Sequence, residues 1–465
     1  MEISMINKTE LADWTGPLVS GPIPGPQSAA FLARQEARES NARTYPRHLP
    51  IAIAEAAGSF VRDVDGNVFI DFLNGAGVLP FGHNHPELVR VAADQMLVET
   101  HGLDFPTPVK DAFIDTQLSM LPVDMQDRMK IHFCGPTGAN AVEAAIKLCK
   151  TATGRGEVIS FQGGFHGSTA AAMALTGLVA PKSHVQNGMP GVHFFPYSYC
   201  SQCPLGMSPA TCSTNCATFL EHSLKDDLSG IPLPAAVILE LVQGEGGSIP
   251  ATIEFAQRVR AVTRELGIPL IVDEVQTGCG RTGTWFSFEQ YGIEPDVIVA
   301  SKALSGMGLP IALIMYDKAM DVWEPGAHIG TFRGNQLAFA TGVEAVKIFQ
   351  RDDILGNVRR RSEQCFGLLE PLQQHPWVRE IRGKGLLVGV ELIDPRTEMP
   401  AGDLAAEVQS EALNRGLILE LGGRDSSVVR LLPPLNVTAE VMETACHILV
   451  DCIVRLASML DVPAP

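Results

Sequence analysis

Ile268-Pro-Leu-Ile-Val-Asp-Glu-Val-Gln-Thr-Gly-Cys-Gly-Arg-Thr-Gly283 holds the signals from which the rest of this chain can be read. Leu270-Ile-Val reads as a short strand buried on both faces, as in a parallel sheet covered by helices. It ends on two carboxylates, Asp273 and Glu274, and a glycine-rich turn. Ligands of open α/β sheets sit outside the carboxyl ends of such strands. An acid at a buried strand tip is costly unless a cation meets it. Asp296-Val-Ile-Val-Ala300 has the same character and delivers Ser301-Lys302. Parallel pairing of the two runs predicts Asp273 and Lys302 on one side of one cleft.

On their own, these residues read most simply as an edge lysine and a helix-capping acid, since Lys and Asp are seldom buried without a partner. The sharper reading is a pyridoxal phosphate site. There a lysine amine forms a Schiff base with the cofactor aldehyde, and an acid keeps the pyridine nitrogen protonated. The choice depends on the other segments.

The chain has 465 residues, 46% apolar and 19% charged, enough for one large core and a smaller one. It has no uncharged apolar run of about 18 residues, so no transmembrane helix is expected. The N-terminus lacks a basic region followed by an apolar one, so no secretory signal is expected. A net charge of −17 argues against nucleic acid or an anionic membrane as partner. Localisation in the cytoplasm is the expectation. Ten cysteines in such a chain read as thiols rather than a disulfide framework; Cys134, Cys149, Cys279, Cys365, Cys446 and Cys452 are scattered among apolar neighbours.

Residues 27–42 read as a helix in a Gly/Pro-punctuated arm, and 51–71 as a β-meander turning at Asp65-Gly66-Asn67. His83 and His85 have no third ligand nearby and are better read as a turn into a helix over 86–100. In Cys134-Gly-Pro-Thr-Gly-Ala-Asn140, Thr137 is a plausible cap for an Ala-rich helix. Its glycine-rich start reads equally as an ordinary capped helix or as a phosphate cradle. Val158-Ile-Ser-Phe-Gln-Gly-Gly-Phe-His-Gly167 is a strand running into a turn that presents Phe165 and His166; Phe165 suits either a flat ring or the core. Residues 233–250 supply a third strand with an acid at its tip, Glu240, followed by Gln243 and Glu245 among glycines. A helix over 253–266 leads back to the opening stretch, a pattern that means a doubly wound α/β sheet. A long helix ends near residue 351. Alternating elements over 378–392, 404–415, 417–421, 428–432 and 438–460 read as a separate α+β domain.

Taken together, these motifs resemble the class III, or ω-amino-acid, branch of the fold-type-I pyridoxal-phosphate aminotransferases, over about residues 40 to 455. The resemblance implies a large, doubly wound, mostly parallel sheet domain over 76–345. It adds a small α+β domain built from both termini, with an arm and part of that domain in 1–75 and the remainder in 346–465. It also assigns roles. Lys302 matches the Schiff-base lysine, Asp273 the acid at the pyridine nitrogen, and Gln276 the residue near the ring hydroxyl. Phe165, before His166-Gly167, matches the stacking aromatic, and Gly138 and Ala139 the backbone pair that cups the phosphate. Thr331 matches a phosphate ligand donated by the other subunit, which implies a homodimer. Arg430, in Val429-Arg-Leu-Leu-Pro-Pro-Leu435, matches the arginine that grips an α-carboxylate, and Glu245 the acid that neutralises it. The residue types suit these tasks: a guanidinium binds a carboxylate bidentately, and a freed lysine amine serves as general base and acid.

Two positions depart from the family pattern. Ala139 stands where relatives often have a hydroxyl, and Leu241 replaces the usual proline of Glu-Pro-Val-Gln. Thr331-Phe-Arg-Gly-Asn-Gln-Leu-Ala-Phe339 and His101-Gly-Leu-Asp-Phe-Pro-Thr-Pro-Val-Lys110 look most like the subgroup that moves the terminal amine of L-2,4-diaminobutyrate to 2-oxoglutarate. A racemase or epimerase, or a β/γ-elimination or replacement enzyme, is the competing expectation, because the same Lys302 and Asp273 serve all of these. A binding protein that has kept the fold is a third, disfavoured by the intact Lys302, Asp273 and Arg430. Cys200, Cys203, Cys212 and Cys216 form C-x2-C-x8-C-x3-C, a spacing compatible with a structural zinc or, less simply, an iron–sulfur cluster. Relatives carry a Tyr-x-Cys-Pro-Phe-Gly loop there, so no metal is assigned.

Overall fold

The structure is a computed structural model that describes residue 11, residues 14–185 and residues 188–460. The chain divides into two compact units, Arg90–Leu355 and a second made of Met1–Val89 with Gly356–Pro465. Division at 345/346 was expected, yet that point lies inside the helix Gln336–Arg351. Asn335 caps this helix by accepting from the Ala338 N–H at 3.2 Å, and the unit closes only after the helix has run its full length.

Arg90–Leu355 contains a seven-stranded sheet. Its order is Met129–Phe133, Leu313–Asp317, Val297–Ala300, Leu270–Asp273, Ala236–Leu239, Val158–Phe161, Val192–Phe195. The last five of these pair in parallel, whereas Leu313–Asp317 runs antiparallel to both neighbours. The opening strand shows why the sheet is doubly wound. Leu270 and Val272 belong to one core cluster, with Phe255, Ala256 and Val259 of the helix Ile253–Glu265. Ile271 belongs to another, with Ala141, Val142 and Ala145 of the helix Gly138–Thr153. Successive side chains of a strand point to opposite faces, so an unbroken apolar run requires helices on both. Thr137 caps the second helix as expected from the sequence, accepting from the Asn140 N–H at 3.2 Å, and Gly154 ends it in the left-handed region at φ 68°.

The other unit has two four-stranded sheets. One orders Ile53–Ala57, Phe60–Asp63, Val68–Asp71 and Leu417–Ile418; the other orders Val378–Lys384, Leu387–Leu392, Val428–Leu431 and Glu420–Gly422. The meander is present with its turn at Asp65-Gly66-Asn67. Asp63 accepts from the N–H of Asn67 at 2.8 Å, and the Asp65 carboxylate accepts the N–H groups of Gln27 and Ser28, both at 2.8 Å. Asp65 thereby caps a helix 37 residues away in sequence, which runs Pro26–Arg38. It ends earlier than the expected residue 42 because Ser40 and Arg43 bond the local backbone instead. His83 is held by Asp71 at 2.8 Å, in keeping with a turn rather than a metal ligand. Among the described residues, no helix is long and apolar enough to cross a membrane.

Candidate active site

Three neighbouring strand tips build the site. In the parallel register, Val272 faces Leu239 and Asp273 faces Val299. Glu240 and Asp273 are therefore side by side, and the chain beyond Val299 brings Lys302 to the same edge. One cavity is lined by Gly138, Ala139, Phe165, His166, Asp273, Gln276 and Lys302, together with Glu240 and Glu245. Residues separated by up to 164 positions in sequence, Gly138 to Lys302, are thus gathered in one place.

Asp273 is 4% exposed and meets the charge demand of its position through His166. The Nδ1 of His166 lies 2.7 Å from Oδ2, while Oδ1 accepts the Val275 N–H at 3.0 Å. Burial works against a charged imidazole here, but the hydrogen bond and charge of Asp273, with Glu240 beyond, hold His166 above its ordinary range. His166 is thus placed behind the carboxylate as well as in the cavity wall. Its backbone N–H donates to Thr176 Oγ1 at 3.0 Å, which fixes the turn. Lys302 adopts φ 41°, a left-handed conformation unusual for a residue with a side chain and a form of strain found at functional sites.

At the start of the helix Gly138–Thr153 the backbone is packed closely. A Cβ on Gly138 would lie 2.9 Å from Val275 Cγ1, and one on Gly167, at φ 122°, would lie 2.5 Å from Ala139 Cβ. Gly138 and Ala139 stand in the cavity wall, and a helix start there suits an anion. Backbone donors at a helix start, a buried carboxylate held by a histidine, a lysine amine and an aromatic at one cavity form the donor set that pyridoxal phosphate requires. The residues present fit that cofactor.

Glu274, the second acid of the opening stretch, has a different task. It is 2% exposed, accepting the Ser287 hydroxyl at 2.7 Å, the Phe288 N–H at 3.1 Å and the hydroxyl of Thr277. Burial lifts its carboxyl from 4.5 to about 7 despite these donors. A raised carboxyl means that the unfolded chain releases this proton first, so the contribution to stability declines as pH rises from 4.5 to about 7. Glu274→Gln does not titrate. The Tm difference between variant and wild type, followed by calorimetry at pH 5 and pH 8, is expected to shift in favour of the variant at the higher pH. A difference independent of pH contradicts this.

Glu240 was legible as a strand-tip acid but not as part of the cavity. Its signal was the alignment of its strand beside that of Asp273. Burial lifts it to about 7, with His166 opposing and Asp273 adding to the rise. Thr331 opens the short turn Thr331–Gly334, is exposed and is not among the residues lining the cavity. Arg430 lies in the other unit, on Val428–Leu431, fully buried. Across the sheet from Glu420, it has Nη1 3.3 Å from that residue's Oε2, and Glu420 Oε1 also accepts the Tyr45 hydroxyl at 3.2 Å. Leu241, at the family's proline position, is buried, and its carbonyl accepts the hydroxyls of Tyr197 and Tyr291 at 3.2 and 2.9 Å. Of the four clustered cysteines, Cys200 is exposed and Cys216 buried. Burial, with Cys212 and Cys200 adding, lifts the Cys216 thiol to about 11. Among the described residues, no group of three His, Cys, Asp or Glu side chains is arranged to hold a metal ion.

A site of this kind defines a pyridoxal-phosphate enzyme, and comparison with known proteins narrows the class. The chain belongs to the class III aminotransferase family, whose model matches residues 41–453. It is 48% identical to the diaminobutyrate–2-oxoglutarate aminotransferase of Rhizobium meliloti (strain 1021), over 88% of this chain and 89% of that protein. It is 46% identical to the diaminobutyrate–2-oxoglutarate aminotransferase of Haemophilus influenzae, over 89% of this chain and 92% of that protein. The ornithine aminotransferase of Toxoplasma gondii, whose active site holds PLP at partial occupancy, superposes with a TM-score of 0.80 at 26% identity, covering 93% of this chain and 95% of that one. The expected family and fold type are met.

Proposed function

We propose that this class III aminotransferase moves the terminal amino group of L-2,4-diaminobutyrate to 2-oxoglutarate, forming glutamate and aspartate semialdehyde in the cytoplasm. The observation that carries the substrate choice is the 48% identity, across nearly the whole chain, to a protein that bears this activity in its name. Pyridoxal phosphate is the cofactor, and when bound it supplies the electron sink that makes the C–H beside the transferred nitrogen acidic. The protein's residues do the rest. Asp273, oriented by His166, would hold a proton on the pyridine nitrogen. Low dielectric at the strand tip strengthens that ion pair. The Gly138 and Ala139 backbone would hold the phosphate, Phe165 would face the ring, and Gln276 would serve the ring hydroxyl. With the cofactor bound, Lys302 Nζ would serve as the general base and acid that moves a proton from the substrate carbon.

One acid and one arginine account for dual specificity. By resemblance to the family, Glu245 is the acid matched to Arg430 for the half-reaction of the diamino acid, and Arg430 grips the α-carboxylate when 2-oxoglutarate enters. The enzyme is a homodimer in which Thr331 reaches the partner's phosphate. Support for this is the exposure of Thr331 outside its own cavity, next to exposed Ile329 and Phe332. The test is glutamate production from purified protein supplied with 2,4-diaminobutyrate and 2-oxoglutarate. Stoichiometric glutamate is expected; turnover of the amino acid that needs no 2-oxoglutarate would move the protein to a racemase or elimination enzyme.

A further inference from the structure

We propose that Glu240 is a positioning residue of this site, whose carboxylate locks together the loop that presents Phe165 and the glycine turn that presents Glu245. The inference rests on the roles proposed above for those two residues. Oε1 accepts the Phe165 N–H at 2.8 Å and Oε2 accepts the Gly244 N–H at 2.9 Å. One buried side chain, 6% exposed, thus holds the backbone beside the ring-facing aromatic and the backbone beside the switching acid.

The surroundings are built for this clamp. The two loops meet backbone to backbone: a Cβ on Gly246 would lie 2.6 Å from the Gly163 carbonyl oxygen. Gln243 adds a second tie, donating from Nε2 to the Gln162 carbonyl at 2.9 Å. The strand tip itself is pinned, because the buried Tyr197 hydroxyl donates to the Glu240 carbonyl at 2.9 Å. Glu240 lines the cavity alongside Asp273 on the neighbouring strand. A buried acid serving only the core would not need two acceptor oxygens committed to two separate active-site loops.

Both partners of the carboxylate are donors, and this dictates the test. Glutamine keeps the shape but offers one acceptor oxygen and turns an NH2 group toward the other N–H. Losing one hydrogen bond to a charged acceptor corresponds to roughly a 10-fold or greater change in affinity. Glu240→Gln is therefore expected to bind pyridoxal phosphate about 10-fold more weakly than wild type, to show reduced visible circular dichroism of the bound cofactor, and to raise KM for 2-oxoglutarate more than it lowers kcat. Glu240→Asp, whose carboxylate is one methylene shorter and cannot span both loops, is expected to shift the same readouts in the same direction, and it decides the matter if the glutamine variant does not fold. A lowered Tm with unchanged cofactor affinity, dichroism and KM in the variant that folds overturns the proposal and leaves Glu240 a structural acid. Wild type titrated alongside separates this outcome from failure of the parent reading, which would appear as wild type that does not bind pyridoxal phosphate or does not use 2-oxoglutarate.

Discussion

Lys302→Ala is expected to remove the yellow absorbance of lysine-bound cofactor and to lower turnover by about 10⁴-fold or more, at the top of the range for a positioned acid–base group. The amine stands just beyond Val297–Ala300 on a backbone held at φ 41°, and among the described residues no other lysine lines the cavity. Cofactor binding should persist, because Asp273 and the Gly138–Ala139 backbone are untouched, so the purified variant should carry non-covalent pyridoxal phosphate with a shifted spectrum. Absorption spectroscopy and stopped-flow turnover of the same sample check both halves. Wild-type turnover in this variant would remove Lys302 from the chemistry.

Asp273→Asn is the second large effect. The amide oxygen can still accept from His166 Nδ1, so the 2.7 Å contact and the fold should survive. What is lost is the charge that keeps a proton on the pyridine nitrogen, a preorganised electrostatic contribution typically worth roughly 10²- to 10³-fold in rate. We expect kcat to fall by about that factor with KM for the donor little changed. The same substitution removes the main influence that raises the His166 pKa, and burial should then carry its imidazole below its ordinary range. Resolved NMR titration of His166 in wild type and variant tests that second consequence. A variant with kcat close to wild type would mean that another group holds the ring proton.

The parts of the fold legible in the sequence are those set by local pattern. Leu270-Ile-Val, Val297-Ile-Val and Ala236-Val-Ile are short apolar runs ending in polar residues, and each is a sheet strand with its functional group at the tip. Thr137 marks the start of a helix because capping is also local. Strand direction is not. Leu313-Ile-Met is as apolar as the parallel strands of the same sheet, and only the return of the chain after Gly306 and Gly308, both with positive φ, turns it around. Side-chain partnerships across long separations were equally hidden. His166 meets Asp273 across 107 positions and Glu240 meets the Phe165 backbone across 75. Arg430 faces Glu420 because of a strand register, and neither stretch of sequence states that register alone. The site's chemical types were therefore readable, while its internal supports required the structure.

The most direct test of the central claim is the visible spectrum of the purified holoenzyme during sequential addition of its two substrates. With 2,4-diaminobutyrate alone, the yellow band should bleach as the amine passes to the cofactor. Addition of 2-oxoglutarate should restore the band and release glutamate. A band that shifts but does not bleach with this donor, or that bleaches and cannot be restored by 2-oxoglutarate, would contradict transamination between this pair.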